Sequence, residues 1–374
     1  LFRSATESQR LSAKEAAEPR DRHLVLSGLS AANKLCVSAV NFIMDFTQLI
    51  DLASEKLGGA VLIANDDFFA PKENLVKAST PVFLEGEYTD RGKWMDGWES
   101  RRKRTPGFDW CIIRLGLPGI VRGVIVDTAY FRGNYPEHCS LEGAVFNGLP
   151  SDEDLTSETV NWVPLLPQVP LAGDSQNSFP IDYSERVTHL RFNIYPDGGV
   201  ARLRVFGEVV PDWDRLKRRG VDVDLAAVEN GALVVSCSDM FFGHRHNLIM
   251  PGRAANMSDG WETKRRRGPG HDWAIIKLAA PGEISRLEID TSHFKGNFPE
   301  SCSLEACNAE GMSTEELTDL SVPWVNVLAR TKLHAHTRHL FEDELLQTGV
   351  VSHLRFNIFP DGGVSRLRVF GSLA

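Results

Sequence analysis

The apolar residues of this chain fall mostly into short runs with a period near two. Ala60–Ala64, Trp110–Leu115, Ile120–Asp127, Ser140–Phe146, Trp162–Leu166, Thr188–Ile194 and Ala201–Phe206 are each apolar or alternating, and Gly, Pro, Asn and Asp clusters separate them. Period-two runs bounded by turn residues predict strands. In Arg202–Phe206 the positions of Leu203 and Phe206 slip by one, which predicts a bulge or an edge. One stretch departs from this pattern. Phe46, Leu49, Ile50, Ala53 and Leu57 recur at helical spacing before Gly58-Gly59, predicting a helix over 45–57 and a weaker copy over 222–229.

The strand series occurs twice. Asp96–Trp110 (DGWESRRKRTPGFDW) returns as Asp259–Trp273 (DGWETKRRRGPGHDW), displaced by 163. Asp127–Glu142 returns as Asp290–Glu305 at the same displacement. Arg191–Gly207 returns as Arg355–Gly371, with 15 of 17 positions identical. Upstream the offset is 173, so copy one carries about ten extra residues between Leu75 and Asp96. Each copy is the length of a domain rather than of a solenoid unit. The reading is an all-β chain of two homologous antiparallel jelly-roll sandwiches, at 45–208 and 222–374, with short helices and a charged linker over 209–221. Residues 1–44 match neither copy, and their Ala/Ser/Arg/Glu-rich start predicts a disordered or atypical leader.

Composition narrows the function. The 374 residues carry 41 Lys+Arg against 50 Asp+Glu, a net charge of −9. An acidic chain lacks the basic footprint of a nucleic-acid binder. No apolar run reaches the length of a membrane span. Six cysteines without a CxxC pair argue against a zinc ribbon or a disulfide scaffold and for reduced thiols inside a cell. There is no clear targeting signal, which leaves the cytoplasm or the peroxisome.

The DGWE segment is the richest in chemistry. Asp96, Trp98, Glu99, Arg101 and Arg102 lie within seven positions. Arginine grips a carboxylate in two-point fashion, and acids accept N–H bonds or move protons. A solvated, salt-bridged loop is the plainer alternative. Asn134 and Asn297 follow a strand in a Gly-Asn turn, where they suit either an amide-like ligand or the turn itself. Asp197 and Asp361 sit in Pro-Asp-Gly-Gly turns, which they would cap. Arg202 with Arg204, and Arg366 with Arg368, alternate along a strand and share a face, lining a pocket or the surface. His244/His246 and His334/His336/His339 have metal-like spacing for zinc or manganese, but copy one has no counterpart. His189 and His353 do match, and read as buried histidines at least as well as catalytic ones.

Taken together, Asn65-Asp66-Asp67-Phe68-Phe69, Gly92–Arg102, Val126-Asp127-Thr128, Gly133-Asn134, Asn193–Arg202 and their second-copy versions resemble the allantoicase family. The resemblance covers about 45–374, with Lys264 standing where copy one has Arg101. It implies two galactose-binding-like jelly rolls, a homo-oligomer, and hydrolysis of allantoate to ureidoglycolate and urea in purine breakdown. No cofactor is assigned, and a divalent metal is left open. In the chemistry that substrate requires, Glu99 and Glu262 make the proton transfers, and Asp96 and Asp259 orient. Arg102 and Arg265 take the substrate carboxylate. Trp98 and Trp261 wall the pocket, and Arg101, Asn134, Asn297, Arg202 and Arg366 complete the binding set. The alternative function is a catalytically inactive protein of this type that binds a small ligand.

Overall fold

The computed structural model describes residues 45–218, 222–319 and 321–374. The proposed leader, 1–44, lies outside them. Repeat 1 contains β1 (Ile50–Asp51), β2 (Ala60–Ala64), β3 (Tyr88–Thr89), β4 (Gly92–Lys93), β5 (Trp98–Glu99), β6 (Asp109–Asp127), β7 (His138–Ala144), β8 (Val163–Pro170), β9 (Gln176–Pro180), β10 (Val187–Tyr195), β11 (Gly199–Val200) and β12 (Arg202–Val209). Repeat 2 contains β13 (Val223–Asp224), β14 (Leu233–Cys237), β15 (Trp261–Glu262), β16 (Asp272–Asp290), β17 (Ser301–Cys307), β18 (Val325–Lys332), β19 (Arg338–Phe341), β20 (Val351–Phe359), β21 (Gly363–Val364) and β22 (Arg366–Leu373). The helices are short: α1 (Asp152–Thr156), α2 (Trp213–Arg218) and α3 (Thr314–Leu317).

Each repeat is organised by one long strand. The first half of β6 pairs with β2 and β10, and its second half pairs with β12 and β9. One strand therefore serves both layers of the sandwich, and β16 does the same in repeat 2. The two predicted runs Trp110–Leu115 and Ile120–Asp127 are thus halves of one element. At Gly119 and Gly282 the long strand runs tightly against the backbone of its neighbour. A Cβ there would lie 2.3 Å from the Glu208 carbonyl oxygen and 2.4 Å from that of Ser372, a separation no side chain tolerates. The β12–β6 register shifts between Phe206 and Gly207, where the phase slip predicts a bulge.

The predicted helix over 45–57 is not formed. Asp45 caps one 3-10 turn (Phe46–Gln48), the chain then extends, and Ile50–Asp51 pairs with Phe206–Gly207. Asp51 fixes this by accepting the N–H groups of Ala53 (3.3 Å) and Val205 (3.0 Å). Asp224 repeats the device in repeat 2 with Ala226 and Val369. An isolated helix of this length is marginal, so strand pairing wins. The apolar residues themselves are well placed: Leu52, Ala53, Leu225 and Ala226 are fully buried. Apolar packing runs continuously from one repeat into the other.

Candidate active site

Three motifs distant in sequence meet at one end of each sandwich. In repeat 1, β5 pairs with β11, setting Glu99 opposite Gly199. Gly199 N–H donates to the Asn134 carbonyl at 2.7 Å, and Asn134 Nδ2 donates to Glu99 Oε1 at 2.7 Å. Ser100 N–H donates to the Gly198 carbonyl at 3.1 Å, and Gly198 N–H donates to Ser100 Oγ at 3.2 Å. Gly198 has φ 141°, and a Cβ on it would sit 2.7 Å from Pro136 N. That close approach explains the glycine. Repeat 2 rebuilds the set: Asn297 donates to Glu262, Thr263 exchanges hydrogen bonds with Gly362, and Gly363 N–H reaches the Asn297 carbonyl at 2.8 Å.

Electrostatics separates the two acids of the DGWE segment. Burial pushes Glu99 above the ordinary carboxylate range, against the opposing hydrogen bond from Asn134. No cation pairs with it among the described contacts, so it takes up a proton more readily than a paired acid. Asp96 behaves oppositely. Burial works against its ionisation, but Arg202, the Val82 N–H and Lys77 outweigh that and hold it below the ordinary value. Asp259 is held low in the same way by Lys56, the Ala255 N–H and Arg366. These two acids are fixed anions.

The remaining candidates fall into three groups. Arg202 is completely buried and spends its N–H groups on the Asp96 carboxylate (2.7 Å) and on the carbonyls of Asp96, Ala201 and Ser79. Arg366 makes the corresponding bonds to Asp259, and Arg204 and Arg368 share the face of their neighbours as the alternation predicts. Trp98 and Trp261 are fully buried too. Their indole N–H groups donate to the carbonyls of Asp66 and Asp239, both at 2.8 Å, and their rings pack on Phe192 and Phe356. The expected pocket wall is therefore corrected. An indole with no exposed surface presents no face to a ligand, and these two support the loop from beneath. Arg101 is exposed but tied to Asp66 at 2.7 Å over the Phe68 ring, and Lys264 holds Asp239 likewise. Arg102 and Arg265 are exposed and have no carboxylate partner among the described residues, which leaves their guanidinium groups open to an anion.

Several residues that organise the site escape sequence reading. Lys103 Nζ lies 2.6 Å from Asp109, and Arg266 pairs with Asp272; both acids are almost completely buried. The backbone N–H groups of Lys103 and Arg266 donate to Asp197 (2.7 Å) and Asp361 (2.8 Å). The two turn aspartates thus clamp the basic loop. The signal was present, since Lys103–Asp109 and Arg266–Asp272 have the same six-residue spacing.

The histidines of the described residues are mostly occupied by their own neighbours. Burial and the neighbouring cation lower His189 and His353 to about 4, and burial, His244 and Arg245 lower His246 to about 3. Among the described residues no three His, Cys, Asp or Glu side chains converge on a metal-sized space. The five described cysteines are free, and burial pushes Cys139 and Cys302 to about 12. No helix among the described residues is long and apolar enough to cross a membrane. A cavity of about 620 Å3 beside Phe146, Leu149 and Tyr183 holds none of the candidate residues.

Comparison with known proteins agrees with this architecture. The allantoicase repeat model matches residues 50–210 and 223–374. The chain is 48% identical over 331 residues to a probable allantoicase of Burkholderia mallei, covering 88% of this chain and 96% of that protein. It is 50% identical over 329 residues to the allantoicase of Dictyostelium discoideum, covering 87% and 88%. Its structure is similar to that of allantoicase from Saccharomyces cerevisiae, with a TM-score of 0.72, 35% identity, and coverage of 86% of this chain and 93% of that one. The chain belongs to the allantoicase family.

Proposed function

We propose that Glu99 and Glu262 make the proton transfers of allantoate hydrolysis in this chain. The activity is that of an allantoicase: allantoate and water become ureidoglycolate and urea. Allantoate is a carboxylate whose central carbon carries two ureido groups. One C–N bond at that carbon breaks and a C–O bond to water's oxygen forms. The departing urea nitrogen takes a proton, and water, or an imine-forming step, gives one up. Glu99, pushed up by burial and held by an amide neighbour, suits either transfer, and Glu262 has the same amide neighbour. Arg102 and Arg265 hold the substrate carboxylate, and Asn134 and Asn297 orient the glutamates. Asp96 and Asp259 act at one remove, by ordering the segments that carry Glu99 and Glu262.

The observation that carries this reading is the Glu99–Asn134 contact at 2.7 Å, with Glu99 pushed up by burial. Its repetition at Glu262–Asn297 supports it. Asn134→Leu removes the hydrogen bond that favours the carboxylate. Whichever limb of the kcat–pH profile Glu99 governs then moves to higher pH; a profile that stays in place counts against Glu99. We also propose the homo-oligomer that the family implies and the cytoplasmic or peroxisomal location read from the sequence. Sedimentation of the purified chain and cell fractionation test them.

A further inference from the structure

Asp96 and Asp259 hold matching positions but meet different neighbours. In repeat 1 the acid–arginine pair is roofed by residues 77–82. Val82 N–H donates to Asp96 at 3.1 Å, Lys77 Nζ lies 3.5 Å away, and the Ser79 carbonyl accepts from Arg202 at 3.0 Å. Repeat 2 has Met250 at the position of Lys77. Its outer cation comes from the other repeat: Lys56 Nζ lies 2.9 Å from Asp259. The exchange is not returned, because the position matching Lys56 is Glu229.

Between the repeats this leaves a cleft of about 570 Å3. Glu55, Lys56 and Ser79 line one side, and Arg253, Asp259 and Arg366 line the other. Three cationic side chains face two carboxylates. Glu55 is occupied by the Ala78 N–H at 2.8 Å. Arg253 is exposed and has no carboxylate partner among the described residues.

We propose that this cleft is a further binding site, beyond the one that Arg102 and Arg265 serve in the reaction, for a small carboxylate bearing ureido N–H groups, with Arg253 and Lys56 holding the carboxylate and Asp259 accepting from the N–H donors. The single excess positive charge suits a monoanion. The planar Arg253 fork matches a carboxylate, and a fixed anion such as Asp259 is a strong acceptor for amide-type donors. The volume falls within the range of small-molecule sites. The ligand class rests on the allantoate reading above. Substrate allantoate and product ureidoglycolate share this chemistry. The site belongs to both repeats at once, so neither repeat builds it alone.

Isothermal titration of the full chain with each ligand tests this, using Glu99→Gln/Glu262→Gln as the background for allantoate. Arg253→Met, at an exposed position, weakens binding at least tenfold, and Arg253→Lys restores part of it. Lys56→Met weakens the same ligand. Weakening confined to allantoate assigns the cleft to substrate, and weakening confined to ureidoglycolate assigns it to product; both support the proposal. Unchanged affinity for both ligands in both Met variants overturns it. Urea release by the wild-type chain separates this failure from failure of the activity. Release with unaltered binding removes the cleft alone, whereas no release with binding that Arg253→Met weakens removes the activity and keeps the cleft.

Discussion

Asp96 with Arg202 and Asp259 with Arg366 form the same ion pair in two settings. The side chains are 6% and 1% exposed in repeat 1, and 16% and 4% in repeat 2. The pairing itself is fixed by elements the repeats share, since each arginine begins the last long strand and each acid precedes the Trp-Glu strand. What covers the pair is set outside the shared motifs. Repeat 1 covers it with the start of its own longer segment. Repeat 2 leaves it at the inter-repeat cleft and borrows Lys56. A duplicated fold thus preserves an internal bond network while diverging in which network solvent and ligands can reach.

The largest expected effect comes from breaking the covered pair. Arg202→Met leaves the buried Asp96 carboxylate with only the Val82 N–H and Lys77, 3.5 Å away, and costs about 3 kcal/mol of stability. Arg366→Met costs less, because Asp259 keeps Lys56 and more solvent. Urea unfolding of both variants checks this; equal losses would break the comparison.

A second matched pair sharpens it through pH. Burial, outweighing Val369 N–H and Arg368, raises Asp224 from 3.8 to about 6. The folded state therefore binds the proton more tightly, so stability falls as pH rises from about 4 to about 6. The shift is worth about 3 kcal/mol. Asp224→Asn removes that slope from the stability–pH curve. Asp96 and Asp259 have the opposite sign. Their lowered values contribute stability above the unfolded carboxylate pKa, and it is lost as pH falls through the folded values.

Smaller effects test features the repeats hold in common. Ser151 and Ser313 each form a capping box on α1 and α3. Replacing either with Ala costs about 1 kcal/mol in thermal unfolding, equally in the two repeats. The Lys56–Asp259 bond, with Lys56 44% exposed, gives the smallest change. Lys56→Met costs under about 1 kcal/mol, and less at high salt.

Much of this molecule was legible in sequence. The repeat, the strand series and the bulge at Phe206–Gly207 follow from periodicity and turn chemistry, whereas the meeting of the DGWE, Gly-Asn and Pro-Asp-Gly-Gly segments depends on the β5–β11 pairing and is not legible in any one of them. No α-helix forms over 45–57; its apolar spacing satisfies both a helix and an irregular segment buried against β12. Pairing of Asp51 with the Val205 N–H decides between them, and that contact is 154 residues distant. Trp98 and Trp261 look alike in sequence whether they line a pocket or support it. Only the carbonyls of Asp66 and Asp239 show that both indoles face inward. Lys56 carries no motif at all. Its role depends on how the repeats pack.

The central claim is that the Glu–Asn pairs move the protons. Urea release from allantoate by Glu99→Gln, Glu262→Gln and the double variant tests it most directly. The account predicts that the double variant loses at least about 100-fold in kcat with its fold intact. A folded double variant that keeps full turnover would contradict it.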